Sequence, residues 1–149
     1  MIGLLQRVTK ASIIVAEQTI AQIDTGLLVL IGIERGDTKS QANRLLQRLL
    51  AYRVFHDQDD KMNLSLTDIE GGLLLVPQFT LSADTRKGNR PSFSSAAPPA
   101  QGALLFKHLC MQAKQCHPIV AIGQFGANMQ VSLINDGPVT FWLQVSPPE

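Results

Sequence analysis

Cysteine is scarce in this chain: Cys110 and Cys116 are the only two in 149 residues, beside a single tryptophan and a single tyrosine. Two thiols cannot build the multi-bridge framework of a small secreted domain, and without a secretory leader they read as reduced thiols. The opening Met1-Ile2-Gly3-Leu4-Leu5-Gln6-Arg7 has no basic residue ahead of its apolar stretch and meets a charge too early for a signal peptide. No apolar run approaches the roughly 20 residues that a bilayer-spanning helix needs. An excess of one charge sign is missing as well, since the formal net charge is +1. Such a molecule has no field that draws in a polyanion from a distance, so any nucleic-acid contact must be local. The expected compartment is the cytosol.

What the chain does have is the composition of an ordinary globular protein, with 45% hydrophobic and 17% charged residues. A chain of this length fits one domain, residues 1–149, able to bury roughly two thirds of the surface its unfolded form exposes. No internal repeat interrupts it.

Segments Ile2 to Val8, Ser12 to Val15 and Thr19 to Ile23 are rich in β-branched and aliphatic residues and read as strands. Gly26 to Ile33 is a continuous apolar run, short for a helix, which fits a strand buried on both faces at the sheet centre. The period changes after Thr38: Ala42, Leu45, Leu46, Leu49 and Leu50 recur at helical spacing, with Asp37, Thr38 and Ser40 as N-cap candidates. His56-Asp57-Gln58-Asp59-Asp60-Lys61 begins like a calcium loop. Lys61 at the fifth ligand position and Met62 in place of the required glycine turn it into a solvated turn.

A strand over Gly72 to Leu81, a long polar connection and a second helix near Pro99 to Gln115 follow, with proline well placed at the helix start. Met129 to Ile134 and Val139 to Val145 read as strands around a tight turn or hairpin at Asn135-Asp136-Gly137-Pro138. About nine strand-like pieces and two main helices without strand–helix–strand alternation predict an α+β fold. Its core is an antiparallel-dominated sheet curled into a barrel.

Three segments carry candidate chemistry. In Pro77-Gln78-Phe79-Thr80-Leu81 an amide and a hydroxyl interrupt an apolar strand, and alternation sets Gln78 and Thr80 on one face; a merely solvated strand face would read the same way. In Arg86-Lys87-Gly88-Asn89-Arg90-Pro91-Ser92-Phe93 three cations share a long loop with an aromatic ring, which suits phosphate contact as well as plain solvation. At Gly137-Pro138 the tertiary amide narrows the trans preference to roughly 0.5–1 kcal/mol, so a cis bond is accessible. His108, Cys110, Cys116 and His117 cluster in sequence but lack the paired spacing of a zinc site, and no metal is expected.

Together these segments resemble the D-aminoacyl-tRNA deacylase family. Asn135-Asp136-Gly137-Pro138-Val139-Thr140 is similar to its Asn-x-Gly-Pro-x-Thr motif, and Gln78-Phe79-Thr80-Leu81 to four positions of its Ser-Gln-x-Thr-Leu motif. Gln6-Arg7-Val8 and Arg90-Pro91-Ser92-Phe93 extend the likeness over essentially the whole chain. Pro77 departs from the pattern, standing where the family has serine, and removes a hydroxyl and an N–H.

The resemblance implies cofactor-free hydrolysis of the ester joining a D-amino acid to the terminal adenosine of tRNA. It implies a homodimer in which Gly137-Pro138, as a cis pair, reaches into the partner's pocket. There its carbonyls would hold the substrate's amino group and leave no room for an L side chain. On this reading Gln78 and Thr80 are the catalytic candidates, with Gln78 orienting the substrate. Gly137, Pro138 and Phe79 contact it, and Arg7 braces the Gly-Pro carbonyls. Arg86, Lys87 and Arg90 are the tRNA-binding candidates.

A threonine nucleophile needs a neighbouring base, and no histidine or carboxylate accompanies Thr80 in its motif, so direct attack by water is the expected route. Two other classes of function compete: a non-catalytic RNA- or DNA-binding module using the 86–93 loop, and a small-molecule esterase.

Overall fold

The structure, a computed structural model, describes residues 1–148. Its sheet is organised by β1 (Ile2–Val15), a 14-residue strand with room for three partners. One edge of β1 pairs antiparallel with β8 (Gln130–Gln144), from Ile2 opposite Gln144 to Ile14 opposite Gln130. Its other edge pairs antiparallel with β3 (Gly26–Gly32) along the first half and with β2 (Gln18–Ile23) along the second. The two strands expected over Ile2–Val8 and Ser12–Val15 are therefore one. Thr9 and Lys10, which look like a gap in the sequence, are exposed side chains on a backbone that keeps its strand conformation.

β6 (Gly72–Pro77) lies parallel to β3, and β7 (Val120–Ile122) parallel to β6, giving the order β2-β1-β3-β6-β7 with β8 also on β1. Parallel neighbours require crossovers, and here α1 (Lys39–Ala51) and α3 (Pro99–Cys116) supply them. The first crossover is hidden in the sequence by inserted pieces: the small hairpin β4 (Phe55–His56) and β5 (Met62–Leu64), then the short helix α2 (Leu66–Ile69). The class matches expectation: α+β, with most strand pairs antiparallel and the sheet curled into a nearly closed barrel. β2 packs across against β6 and β7.

The run Gly26 to Ile33 is apolar because both faces of β3 are covered. Leu27, Val29 and Ile31 join Leu73 and Leu75 of β6 in a core shared with Leu45 and Leu49 of α1 and Leu105 and Leu109 of α3. Leu28 faces the other way, into a second cluster with Ile13, Ile23, Leu74 and Val76 inside the curl of the sheet. The start of the β3–β6 pair depends on glycine, since a Cβ on Gly26 would come within 1.9 Å of the Gly72 carbonyl oxygen.

Helix α1 begins where the period changes. Its cap is Thr38, closed by a capping box in which Gln41 Oε1 accepts from the Thr38 amide at 2.7 Å. Asp37 is engaged elsewhere, for its buried carboxylate accepts from the Met1 ammonium at 2.9 Å, and burial pushes its pKa above the ordinary value. The 57–61 segment is a turn closed on itself, with Asp57 Oδ1 accepting from the amides of Asp59 and Lys61.

The C-terminal hairpin does not form. β8 runs unbroken through Asn135-Asp136-Gly137-Pro138, because both of its halves find partners on the same strand, β1. Gln6 pairs with Thr140 and Val8 with Asn135, so the four residues 136–139 stand opposite the single residue Arg7 as a bulge. The Gly137-Pro138 peptide bond within it is cis. Among the described residues no helix is long and apolar enough to cross a membrane.

Candidate active site

Strand β6 ends at Pro77, four residues before the expected end at Leu81, and the reason is local. In the register of β6 on β7, Leu73 donates to Ile119 and Gly123 donates to Leu75 at 2.8 Å, so the next bond in the series would run from residue 77 to the Gly123 carbonyl. Proline has no N–H to give. The chain stays tied to β3 through Gln78 N, which donates to the Ile31 carbonyl at 2.8 Å, then turns into a 3-10 turn over Phe79–Ser82. Buried Ser82 pins that turn by donating to the Ile33 carbonyl at 3.2 Å. Gln78 and Thr80 thus meet through a turn and not through strand alternation: Gln78 Nε2 donates to Thr80 Oγ1. Among the described residues no further side-chain hydrogen bond engages Gln78 Oε1 or the Thr80 hydroxyl hydrogen. Among the described residues neither a histidine nor a carboxylate hydrogen-bonds Thr80, so nothing here would raise its nucleophilicity.

An open pocket of about 580 Å³ lies beside this turn. Phe79 and Phe93 stand on one side with ring centroids 5.3 Å apart. Phe125 lines another side, backed by Phe106 with centroids 6.3 Å apart. Phe79 is 65% exposed, unusual for a phenylalanine with a core available. Its ring is presented to solvent at the pocket rim, next to Gln78.

The basic loop is shaped by one ion pair. The Asp84 and Ser92 backbones exchange two hydrogen bonds, 2.7 and 3.0 Å, across the loop neck. Arg86 then folds back on Asp84 with Nε to Oδ1 at 2.9 Å and Nη2 to Oδ2 at 2.7 Å. That fork lowers the Asp84 carboxyl to about 2. Arg86 is paired within the loop although its side chain is 85% exposed, and Lys87 and Arg90 are exposed with no ion-pair partner among the described residues.

Gly137 and Pro138 lie elsewhere. Arg7, opposite their bulge, pairs with Leu27 at one end of β3, while Gln78 is bonded to Ile31 at the other. Neither Gly137 nor Pro138 lines the pocket of the same chain. Arg7 is 5% exposed, and its bonds go not to the Gly137 and Pro138 carbonyls expected from the sequence but to others: Nε donates to the preceding Asp136 carbonyl at 3.1 Å and Nη1 to the Val54 carbonyl at 2.7 Å. Asn135 closes the bulge from within, accepting from Val139 N at 3.1 Å and donating to Thr140 Oγ1 at 2.8 Å.

The sequence cluster near the end of α3 disperses. Cys110 is buried, its thiol pushed up to about 12 by desolvation. His117 is buried with Nε2 2.6 Å from the Gly71 carbonyl oxygen, and His108 Nε2 lies 2.8 Å from Asn43 Oδ1. Arg35, Phe125 and Met129, which the sequence does not single out, line the pocket, and so do Pro98 and Pro99, the latter marked by the sequence only as a helix start. Arg35 follows the apolar run of β3 and Phe125 sits in a glycine-flanked loop; neither carries a motif.

The fold and site define a small mixed-sheet protein that presents an amide–hydroxyl pair at the rim of an aromatic pocket. The family model for D-Tyr-tRNA(Tyr) deacylase matches residues 4–144, and the chain belongs to that family. It is 60% identical over 148 residues to the D-aminoacyl-tRNA deacylase of Thioalkalivibrio sulfidiphilus (strain HL-EbGR7), covering 99% of each chain. It is 62% identical over 144 residues to that of Pseudomonas fluorescens (strain SBW25), covering 97% of this chain and 99% of the relative. A solved structure of a protein named c-Myc DNA Unwinding Element Binding Protein is 36% identical, with a TM-score of 0.94 over 99% of this chain and 100% of that one.

Proposed function

We propose that this chain hydrolyses the ester of D-aminoacyl-tRNA, releasing tRNA and the free D-amino acid, and spares L-aminoacyl-tRNA. The observation that carries this reading is identity of about 60% over the full length to D-aminoacyl-tRNA deacylases. The pocket supports it: its aromatic lining suits the base of a terminal nucleotide, and Gln78, which lines it, donates to Thr80 through its side-chain amide. The whole chain acts as one domain, in the compartment where charged tRNA is used.

Water adds to the ester carbonyl carbon, the bond to the ribose oxygen breaks, and that oxygen leaves with a proton. Gln78 orients the acyl group, and Thr80 serves as a hydrogen-bonding partner. An aminoacyl ester is already reactive, so positioning beside the ribose 2′-hydroxyl supplies much of the acceleration.

The stereochemical filter is Gly137-Pro138 of a second copy, inserted into this chain's pocket. Two observations support a homodimer of this kind. The bulge lies away from its own pocket, and β8 exposes Ile134 at 49% and Trp142 at 52% on either side of it. A filter that works by rejecting a side chain has nothing to reject in glycine, so glycyl-tRNA is also cleaved.

The test compares D-tyrosyl-tRNA, L-tyrosyl-tRNA, glycyl-tRNA and a D-tyrosine ethyl ester. The first and third are hydrolysed, the second is spared and the fourth reacts slowly. Equal cleavage of the L ester would remove the filter, and equal cleavage of the ethyl ester would make the protein a small-molecule esterase. Tight nucleic-acid binding without turnover would identify the non-catalytic alternative. Mixing Gln78→Ala chains with Gly137→Ala chains restores activity if the filter acts across the dimer.

A further inference from the structure

We propose that Arg35 forms a phosphate subsite at the mouth of the pocket, contacting the 5′-phosphate of the substrate's terminal nucleotide. This inference rests on the reading that the pocket takes the nucleotide end of a charged tRNA. The sequence alone points to Arg86, Lys87 and Arg90 for phosphate contact. Arg86 is paired at two points with Asp84 and none of the three lines the pocket, whereas Arg35 does, so Arg35 is the cation placed to meet a ligand inside it.

Arg35 is exposed yet held in place. Its backbone N–H donates to the Ser95 carbonyl at 2.9 Å and its Nε to the Ser94 carbonyl at 3.1 Å. Anchoring through Nε fixes the guanidinium plane and leaves Nη1 and Nη2 available, the fork that recognises a phosphate in two-point fashion. The acidic residues nearby are otherwise engaged. Glu34 faces the Met1 ammonium at 3.3 Å and Gln144 Nε2 at 2.9 Å, and Asp37 is buried against the same ammonium. Arg35 itself has no ion pair among the described residues.

The surroundings fit the same ligand. Ile31, Phe79, Phe93 and Phe125 line the same pocket, so apolar and aromatic surface suited to a flat base is joined to a fixed cation. Pro98 and Pro99, where the 18-residue helix α3 begins, line the pocket too, and α3 has no acidic residue in its first turn. The positive end of the helix adds to the Arg35 charge, and the two carboxylates beside it, Glu34 and Asp37, both face the Met1 ammonium. A nucleoside monophosphate unit has this shape and charge distribution.

The experiment uses the full chain and has a binding arm and a turnover arm. Calorimetry compares adenosine with adenosine 5′-monophosphate on wild type, Arg35→Ala, Arg35→Lys and Arg44→Ala, the last a control cation on the exposed side of α1. Wild type and Arg44→Ala bind the monophosphate about tenfold or more tightly than the nucleoside, as a charge-assisted contact predicts. In Arg35→Ala that ratio falls toward one, and Arg35→Lys keeps part of it. In turnover, Arg35→Ala raises KM for D-tyrosyl-tRNA with little change in kcat and reduces the salt slope of binding by about one. A ratio unchanged in Arg35→Ala would overturn the subsite. Wild type that shows the ratio but cleaves no charged tRNA would overturn the deacylase reading and leave the subsite standing.

Discussion

The guanidinium of Arg7 crowds the space in which a side chain on Gly137 would grow: a Cβ there would lie 3.2 Å from Arg7 Nη2 and would clash at 2.7 Å with Val139 Cγ2. A buried cation and a residue without a side chain thus fit together across the β1–β8 ladder, and the bulge that carries Gly137-Pro138 is shaped by both.

Gly137→Ala tests this fit. Gly137 has φ +130, a region alanine enters only at a cost of about 1–3 kcal/mol, and the new methyl meets Val139 and Arg7 as well. The expected result is a lower Tm in thermal unfolding and loss of D-tyrosyl-tRNA deacylation. An unchanged Tm would mean that the bulge relaxes freely.

Arg7→Lys keeps the charge and removes the fork. A single ammonium cannot reach the Val54 and Asp136 carbonyls in the geometry that Nη1 and Nε now use. One buried acceptor is left unpaired, for a loss of about 1–3 kcal/mol. Denaturant unfolding should register it as a lower midpoint with an unchanged slope.

Thr80→Val removes the hydroxyl that accepts from Gln78 and preserves the shape of the side chain. If water is the nucleophile, deacylation falls by about tenfold, the scale of one hydrogen bond. A loss of several orders of magnitude with tRNA binding intact would make Thr80 the nucleophile.

Asp84 should titrate far below a free carboxylate. Its folded value of about 2 lies under the ordinary 3.8 because Arg86 holds the charged form. A depressed carboxylate contributes stability that is complete above the unfolded value of about 3.8 and disappears as pH falls toward 2. Carboxyl-carbon NMR should place the Asp84 transition near 2 in wild type and move it upward in Arg86→Gln. A transition that does not move in the variant would exclude Arg86 as the cause.

The two thiols should react differently. Burial raises Cys110 to about 12, while Cys116 is exposed at the end of α3. At about pH 8, near the ordinary thiol range, a thiol reagent should modify Cys116 alone in the native protein and Cys110 only after unfolding, as mass spectrometry of the digested chain would report.

Local pattern made much of the fold legible. The helical spacing of Ala42, Leu45, Leu46 and Leu49 located α1, Pro99 marked the first residue of α3, and the unbroken apolar run from Gly26 announced a strand covered on both faces. The motif around Gln78 and Thr80 was readable too, although its geometry was not. Alternation would have set the two side chains on one strand face, but Pro77 ends the strand and a 3-10 turn brings them together.

By itself the sequence determined which residues face inward, where the helices start and which short motifs carry the chemistry, because these follow from periodicity and from side-chain chemistry within a few neighbours. Only the tertiary structure decided that β8 passes straight through Asn135-Asp136-Gly137-Pro138, that Arg86 pairs with Asp84 and that Arg35 stands at the pocket. A segment that reads as a turn becomes a bulge when one strand, β1, pairs with both of its flanks. Likewise, a cation's availability depends on which carboxylates and carbonyls the folded chain brings to it. Pairing register and charge compensation are relations between residues, several of them far apart in the chain, and no local pattern encodes them.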